Sequence, residues 1–250
     1  MSSINVEAGS INFDSRDNCN AIIETGTNTL IVGCKETAIP NSVTDIGESA
    51  FYGCSDLIWI VIPNSVTNIG TSAFEHCSNL CSVSIGDGVT SIGDRAFTYC
   101  KLLTRITIPS SVTSIGEYAF GECSLLAYIT IPNSVTSIGW MAFFLCDLQE
   151  VISKIEIPFD ISTSTFSDNT YHNAILYVPA GTIDKYKATE GWMKFVFIEE
   201  DSPSSVIDVE AERIKEIKRY TLDGRIIMNP HKGINIIQMN DGTTKKVLVK

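Results

Sequence analysis

A six-residue phrase returns every 23 residues in this chain. Ser-Val-Thr-x-Ile-Gly begins at Ser42, Ser65, Ser111 and Ser134, and Gly-Val-Thr-x-Ile-Gly begins at Gly88. Ala-Phe follows each phrase, at Ala50/Phe51, Ala73/Phe74, Ala96/Phe97, Ala119/Phe120 and Ala142/Phe143. A cysteine closes each copy, at Cys54, Cys77, Cys100, Cys123 and Cys146. Self-similarity at a fixed period outranks local propensity, because it means that each copy is one structural unit repeated in space. Within a copy, "LCSVSI" (80–85) alternates as a short strand does, and "VTSI" reads as a second extended piece. "GDRAFTYC" (93–100) is compatible with a single helical or 3₁₀ turn on the outer side.

One such unit cannot persist alone. Its apolar residues bury too little area to offset the backbone entropy lost on ordering 23 residues. Stacking the units at about 4.8 Å adds hydrogen bonds between neighbours and buries each apolar rung against the next. The odd apolar spacing is therefore that of the inward-pointing corners of one solenoid turn.

A period in the twenties with an L-x-x-I-x-I segment is that of a leucine-rich-repeat solenoid. The expected fold is an α/β repeat: a right-handed coil of parallel short strands in 23-residue repeats, followed by a small all-β C-terminal unit. The pattern "IPNSVTxIGxxAFxxCxxL" resembles the BspA-like leucine-rich repeat of bacterial surface proteins, with five copies over residues 39–150.

Both flanks depart from the consensus. Residues 1–38 read as an N-terminal hairpin or cap, with 21–24 facing 29–32, Ile23 opposite Leu30 and Ile22 opposite Ile31. Residues 151–198 gain Tyr171, Tyr177, Tyr186, Trp192 and Phe195, the enlarged core that a closing repeat needs. A polar linker at 199–205 leads to a β unit at 206–250 with Asp-Gly turn signals at Asp223-Gly224 and Asp241-Gly242. There "YTLDGR", "KGINII" and "DGTTKKVLVK" resemble the C-terminal sorting module read by the type IX secretion machinery of Bacteroidetes. That resemblance implies an exported protein, at the outer cell surface or secreted, with the export machinery as a partner of this segment. "MSSINVEAGS" has neither the basic nor the apolar region of a signal peptide, so the same reading implies a signal trimmed from this sequence.

Chemistry is sparse. The net charge of −11 excludes a general nucleic-acid binder, which needs Lys and Arg to neutralise phosphates. No stretch has the roughly 20 apolar residues that span a bilayer. Three histidines lie in separate parts of the chain, and no nucleophile, zinc-protease, P-loop or dinucleotide motif is present, so no catalytic residue, metal or cofactor is assigned. Five of the eight cysteines fall on the repeat lattice and read as a buried ladder of free thiols, since parallel side chains point alike. Cys19 and Cys34 face each other in the expected hairpin register, which is compatible with a disulfide. Cys81 stands off the lattice and outward, with no C-x-x-C to join it to Cys77 and His76.

The unnamed positions of L-x-x-I-x-I form the open sheet face. Ile58, Trp59, Val61, Arg105 and Tyr128 are the residues there suited to a partner, because Trp, Tyr and Arg dominate interface hot spots. The other reading of Ile58, Trp59 and Val61 is that the hairpin or a neighbouring molecule covers them. A non-enzymatic surface protein for protein-protein interaction or adhesion is the first expectation. A carbohydrate-binding or nutrient-capture accessory protein is the alternative.

Overall fold

The computed structural model describes residues 3–7 and 9–201 in full, and 216–221, 226–227, 233–239 and 244–249 as backbone strands. The chain divides into two units, Met1–Asp201 and Ser202–Lys250. The first opens with β1 (Phe13–Asp14), β2 (Ile22–Glu24) and β3 (Thr29–Val32). Two strands then recur per coil: β4 (Asp45–Ile46), β5 (Trp59–Ile62), β6 (Asn68–Ile69), β7 (Ser82–Ile85), β8 (Ser91–Ile92), β9 (Arg105–Thr107), β10 (Ser114–Ile115), β11 (Tyr128–Ile131) and β12 (Ser137–Ile138). The closing segment supplies β13 (Glu150–Ser153), α1 (Asp168–Asn173), β14 (Ile175–Val178), α2 (Ile183–Ala188) and β15 (Phe197–Glu200).

The Val-Thr-x-Ile phrases stack into one sheet of order β1-β2-β3-β4-β6-β8-β10-β12. From β3 onward it is parallel, and its buried isoleucines pair rung to rung: Ile46 with Ile69, Ile69 with Ile92, Ile92 with Ile115, Ile115 with Ile138. The threonine of the phrase has its own task. The hydroxyls of Thr67, Thr90, Thr113 and Thr136 each donate to the carbonyl of the threonine one coil earlier, at 3.1–3.3 Å.

On the other side the L-x-x-I-x-I strands pair in parallel but form two sheets, β5-β7 and β15-β14-β13-β11-β9. The interruption falls at the coil where Ile-Gly-Asp-Gly replaces Ile-Pro-Asn-Ser. A Cβ on Gly88 would meet the carbonyl oxygen of Asn64 at 1.9 Å, so this coil presses against its predecessor as only glycine allows. Ile85 is correspondingly only partly buried, whereas Ile62, Ile108 and Ile131 are 1%, 4% and 0% exposed.

Between the sheets runs a column of stacked phenylalanines. Phe51, Phe74, Phe97, Phe120, Phe143 and Phe166 follow one another at 4.8–5.4 Å between ring centroids and within 11° of parallel. Gly33 closes one end, since a Cβ there would sit 2.1 Å from the Phe51 ring. At the other end Tyr171 and Phe195 meet Phe166 edge-on, at 5.6 and 5.2 Å, and end the parallel stack. Tyr186 and Trp192 anchor this cap by donating to the carbonyls of Ile155 (2.8 Å) and Phe159 (2.9 Å).

The outer side of each repeat carries no helix, against the expectation of a helical or 3₁₀ turn. Two residues per coil take the left-handed conformation instead: Ser49, Ser72, Arg95, Tyr118 and Met141 in one column, Gly53, His76, Tyr99, Glu122 and Leu145 in the other. The reason is the stack. Alternate N–H groups leave the local turn and donate to the next coil, as Phe51 does to Ala73, Phe74 to Ala96, Phe97 to Ala119 and Phe120 to Ala142 at 2.7–2.8 Å. A helical turn would keep those donors to itself.

The hairpin is present, with Ile23 opposite Leu30 as expected, but at Ile22 the register shifts by one residue from the expected Ile31. Ile22 faces Val32 and Ile23 faces Leu30, with a bulge between Ile22 and Ile23. Its strand β3 pairs in parallel with β4, so it extends the Val-Thr-x-Ile sheet.

The second unit is an antiparallel four-stranded sheet of order β17-β16-β18-β19, with β16 (Glu216–Thr221), β17 (Ile226–Ile227), β18 (Gly233–Met239) and β19 (Thr244–Val249). The two Asp-Gly turns and the stretch 202–205 lie outside the described residues.

Candidate interaction face

Parallel pairing with a 23-residue step sets equivalent residues side by side, so a column of the sequence becomes a row on the surface. Trp59 lies beside Ser82, and Val61 beside Ser84. Arg105 lies beside Tyr128, which lies beside Glu150. β7 and β9 are neighbours with no paired ladder between them, so Ile58, Trp59 and Val61 flank one hydrogen-bonded sheet and Arg105 and Tyr128 lie on the other.

Ile58 is 57% exposed and Tyr128 43% exposed. Arg105 is exposed, while Trp59 and Val61 are half-buried. The N-terminal hairpin, paired on the opposite sheet, leaves Ile58 open. The Tyr128 hydroxyl reaches Gln149 Oε1 at 3.4 Å. The row also runs further than the consensus repeats: Glu150 pairs with Ile175 and Ile175 with Phe197, whose ring is 49% exposed. Sequence reasoning missed this extension because the spacing to these last strands is no longer 23.

The lattice cysteines occupy one column beside the phenylalanines. Cys77, Cys100, Cys123 and Cys146 are buried, and each thiol donates to the carbonyl of Phe51, Phe74, Phe97 or Phe120 in the preceding coil at 3.0–3.3 Å. Cys54 is half-buried against the Gly33 carbonyl at 3.6 Å. Burial pushes the Cys77 and Cys123 thiols up to about 12, and those of Cys100 and Cys146 well above their ordinary value. Such thiols are poor nucleophiles.

Cys19 and Cys34 are both buried free thiols, donating to the carbonyls of Ala21 (3.8 Å) and Asn20 (3.5 Å). Cys19 caps a 3₁₀ turn at Arg16–Asn18 rather than continuing β2, so the simple strand register does not extend to it. Cys81 is exposed. Among the described residues, no three or more His, Cys, Asp and Glu side chains gather as metal ligands. Nor is any helix among them long and apolar enough to cross a membrane.

What these coils define is a repeat protein built around stacked rungs. The family model of the BspA type leucine rich repeat region matches residues 44–173 in six copies, just over half of the chain. The chain belongs to that family. The match takes in one copy beyond the five consensus repeats, that of Phe166, which lies 23 residues after Phe143. Among solved structures, the pneumococcal vaccine antigen PcpA is similar at a TM-score of 0.66 and 20% identity, over 80% of this chain and 50% of that one. A leucine-rich repeat protein of T. pallidum is similar at a TM-score of 0.50 and 22% identity, over 70% of this chain and 86% of that one. At these identities the likeness concerns the fold alone. No curated protein matches the chain.

Proposed function

We propose that this is a non-enzymatic protein of the cell surface or the secreted fraction, which binds a protein partner through its strand face. The observation that carries the reading is the row Arg105–Tyr128–Glu150 on one sheet: an exposed ring flanked by opposite charges, on strands too rigidly stacked to collapse over it. Rigid aromatic and guanidinium groups bring large contact area at low entropic cost. Membership of a repeat family of protein-binding modules supports the same reading. Location rests on that family and on the resemblance of the C-terminal segment to a sorting module, and the antiparallel sheet of that segment suits a small β module of this kind.

The test sets a panel of host-matrix proteins against a glycan array, using the full chain. Binding to a matrix protein that falls about tenfold in Tyr128→Ala and Trp59→Ala, with an unchanged unfolding midpoint, supports the proposal. Binding to glycans alone replaces the partner class. Affinity untouched by both substitutions removes the strand face from consideration.

A further inference from the structure

The turn side holds a second row of side chains that neither the core nor the strand face uses. Tyr52 meets His76 edge-on at 5.5 Å, and His76 stacks on Tyr99 at 4.5 Å and 8°. In the coil after Tyr99, Tyr118 packs edge-on against Trp140 of the following coil at 5.2 Å. These rings lie outside the buried core, and Tyr52 and Trp140 are 54% and 45% exposed.

Their backbone makes them costly. His76, Tyr99 and Tyr118 sit at φ of 62°, 62° and 53°, where a side chain is disfavoured, and the first coil has glycine at the column of His76 and Tyr99. His76 is exposed and Tyr99 and Tyr118 are half-buried, so these rings remain partly open to solvent. The stack sets the left-handed turn in every coil, so it is the choice of a ring there, where Ser49 and Ser72 serve in the column of Tyr118, that points to a surface with a task.

The charges around the rings say what kind of task. Over the five turns, Glu48, Glu75, Asp94, Glu117 and Glu122 stand against only Arg95 and Lys101. Both cations already lie against tyrosine rings, Arg95 over Tyr118 and Lys101 over Tyr99, each 5.8 Å from the centroid. Rings that accept cations from their own chain, among surplus carboxylates, match a partner bringing further cations. The geometry points to the turn side as a second interaction surface, taking an arginine- or lysine-rich segment of a protein partner on its rings and carboxylates. This surface is separate from the strand face and does not depend on that reading.

The test uses the full chain and an eight-residue peptide of alternating glycine and arginine. Of the three tryptophans, Trp192 is buried and Trp59 belongs to the strand face, so quenching that disappears in Trp140→Phe locates the peptide on the turn side. Tyr118→Ser should weaken binding about fivefold to tenfold, and Glu48→Lys with Glu117→Lys should weaken it further at low salt than at high salt. Tyr128→Ala should leave it unchanged. Because the charge variants alter exposed side chains only, they test the site even if Tyr118→Ser is unstable. The proposal is overturned by an absence of binding, by equal binding of the same peptide with citrulline in place of each arginine, by loss of binding in Tyr128→Ala alone, or by soluble oligosaccharides quenching Trp140 where the peptide does not.

Discussion

The two sheets of the solenoid are made by the same coils, yet one is continuous through eight strands and the other is interrupted between β7 and β9. The difference lies in what each side repeats. On the Val-Thr-x-Ile side every copy offers the same inward isoleucine and the same threonine hydroxyl to the coil before it, so each junction can be made in the same way. On the strand side the outward positions change from Trp59 to Ser82, Arg105 and Tyr128, and one copy changes its turn as well. The junction survives there because other ladders cross it: Ser91 still pairs with Ser114, Phe97 stacks on Phe120 at 5.4 Å, and Phe97 N–H donates to Ala119 at 2.7 Å. A repeat array can thus vary one face, provided that the remaining ladders stay uniform.

This contrast can be broken experimentally. The largest effect should come from deprotonating the buried column. Cys77 and Cys123 are held at about 12 from an ordinary 9.0, so their contribution is complete below about pH 9. It is lost as pH rises from 9 toward 12, at about 1.4 kcal/mol per unit for each thiol, since the unfolded chain then binds fewer protons. Urea unfolding at stepped pH should show a steep alkaline loss, and a flat profile to pH 12 would place these thiols outside the stack. Next, Phe97→Ala opens the phenylalanine column beside the interrupted sheet and should cost about 3–5 kcal/mol. A cost under about 1 kcal/mol would mean that the column does not carry that junction. Cys100→Ala removes a thiol and its bond to Phe74, for about 1–2 kcal/mol. Leu145→Gly relieves a left-handed residue whose side chain is 48% exposed and should raise stability by about 0.5–1 kcal/mol in thermal unfolding. The smallest stability effect belongs to the strand face, where Tyr128→Ala should stay within about 0.5 kcal/mol.

Much of this was legible in the sequence, because the 23-residue step fixes which residues share a rung before any geometry is known. Phe51 through Phe143, the lattice cysteines and the paired isoleucines follow from it directly. The step also reaches Phe166, but Ser162 and Thr165 stand where the Gly-x-x-Ala of earlier copies would be, which hid the sixth copy. What local reading could not supply was competition between ladders. "GDRAFTYC" is an acceptable helical turn in isolation, and it is unwound because its donors are claimed by the next coil. The hairpin register holds at Ile23 and Leu30 and slips only at Ile22, through a bulge that no residue in "NAIIETGTNTLIV" announces. The candidate face was half legible. The consensus marks Trp59, Arg105 and Tyr128 as outward, but the break between β7 and β9 and the continuation to Phe197 depend on packing beyond the repeat.

The forward-reaching N–H groups of the turn side also bear on how such a chain yields to tension. A coil pulled from one end is held only by the rung beneath it, so its fastenings give way together while those of the next rung are still unloaded. Stretching the chain between its ends should release length in regular increments of about 80 Å, one 23-residue rung at a time. A tether of that kind would shed load in stages where a single compact core would fail at once.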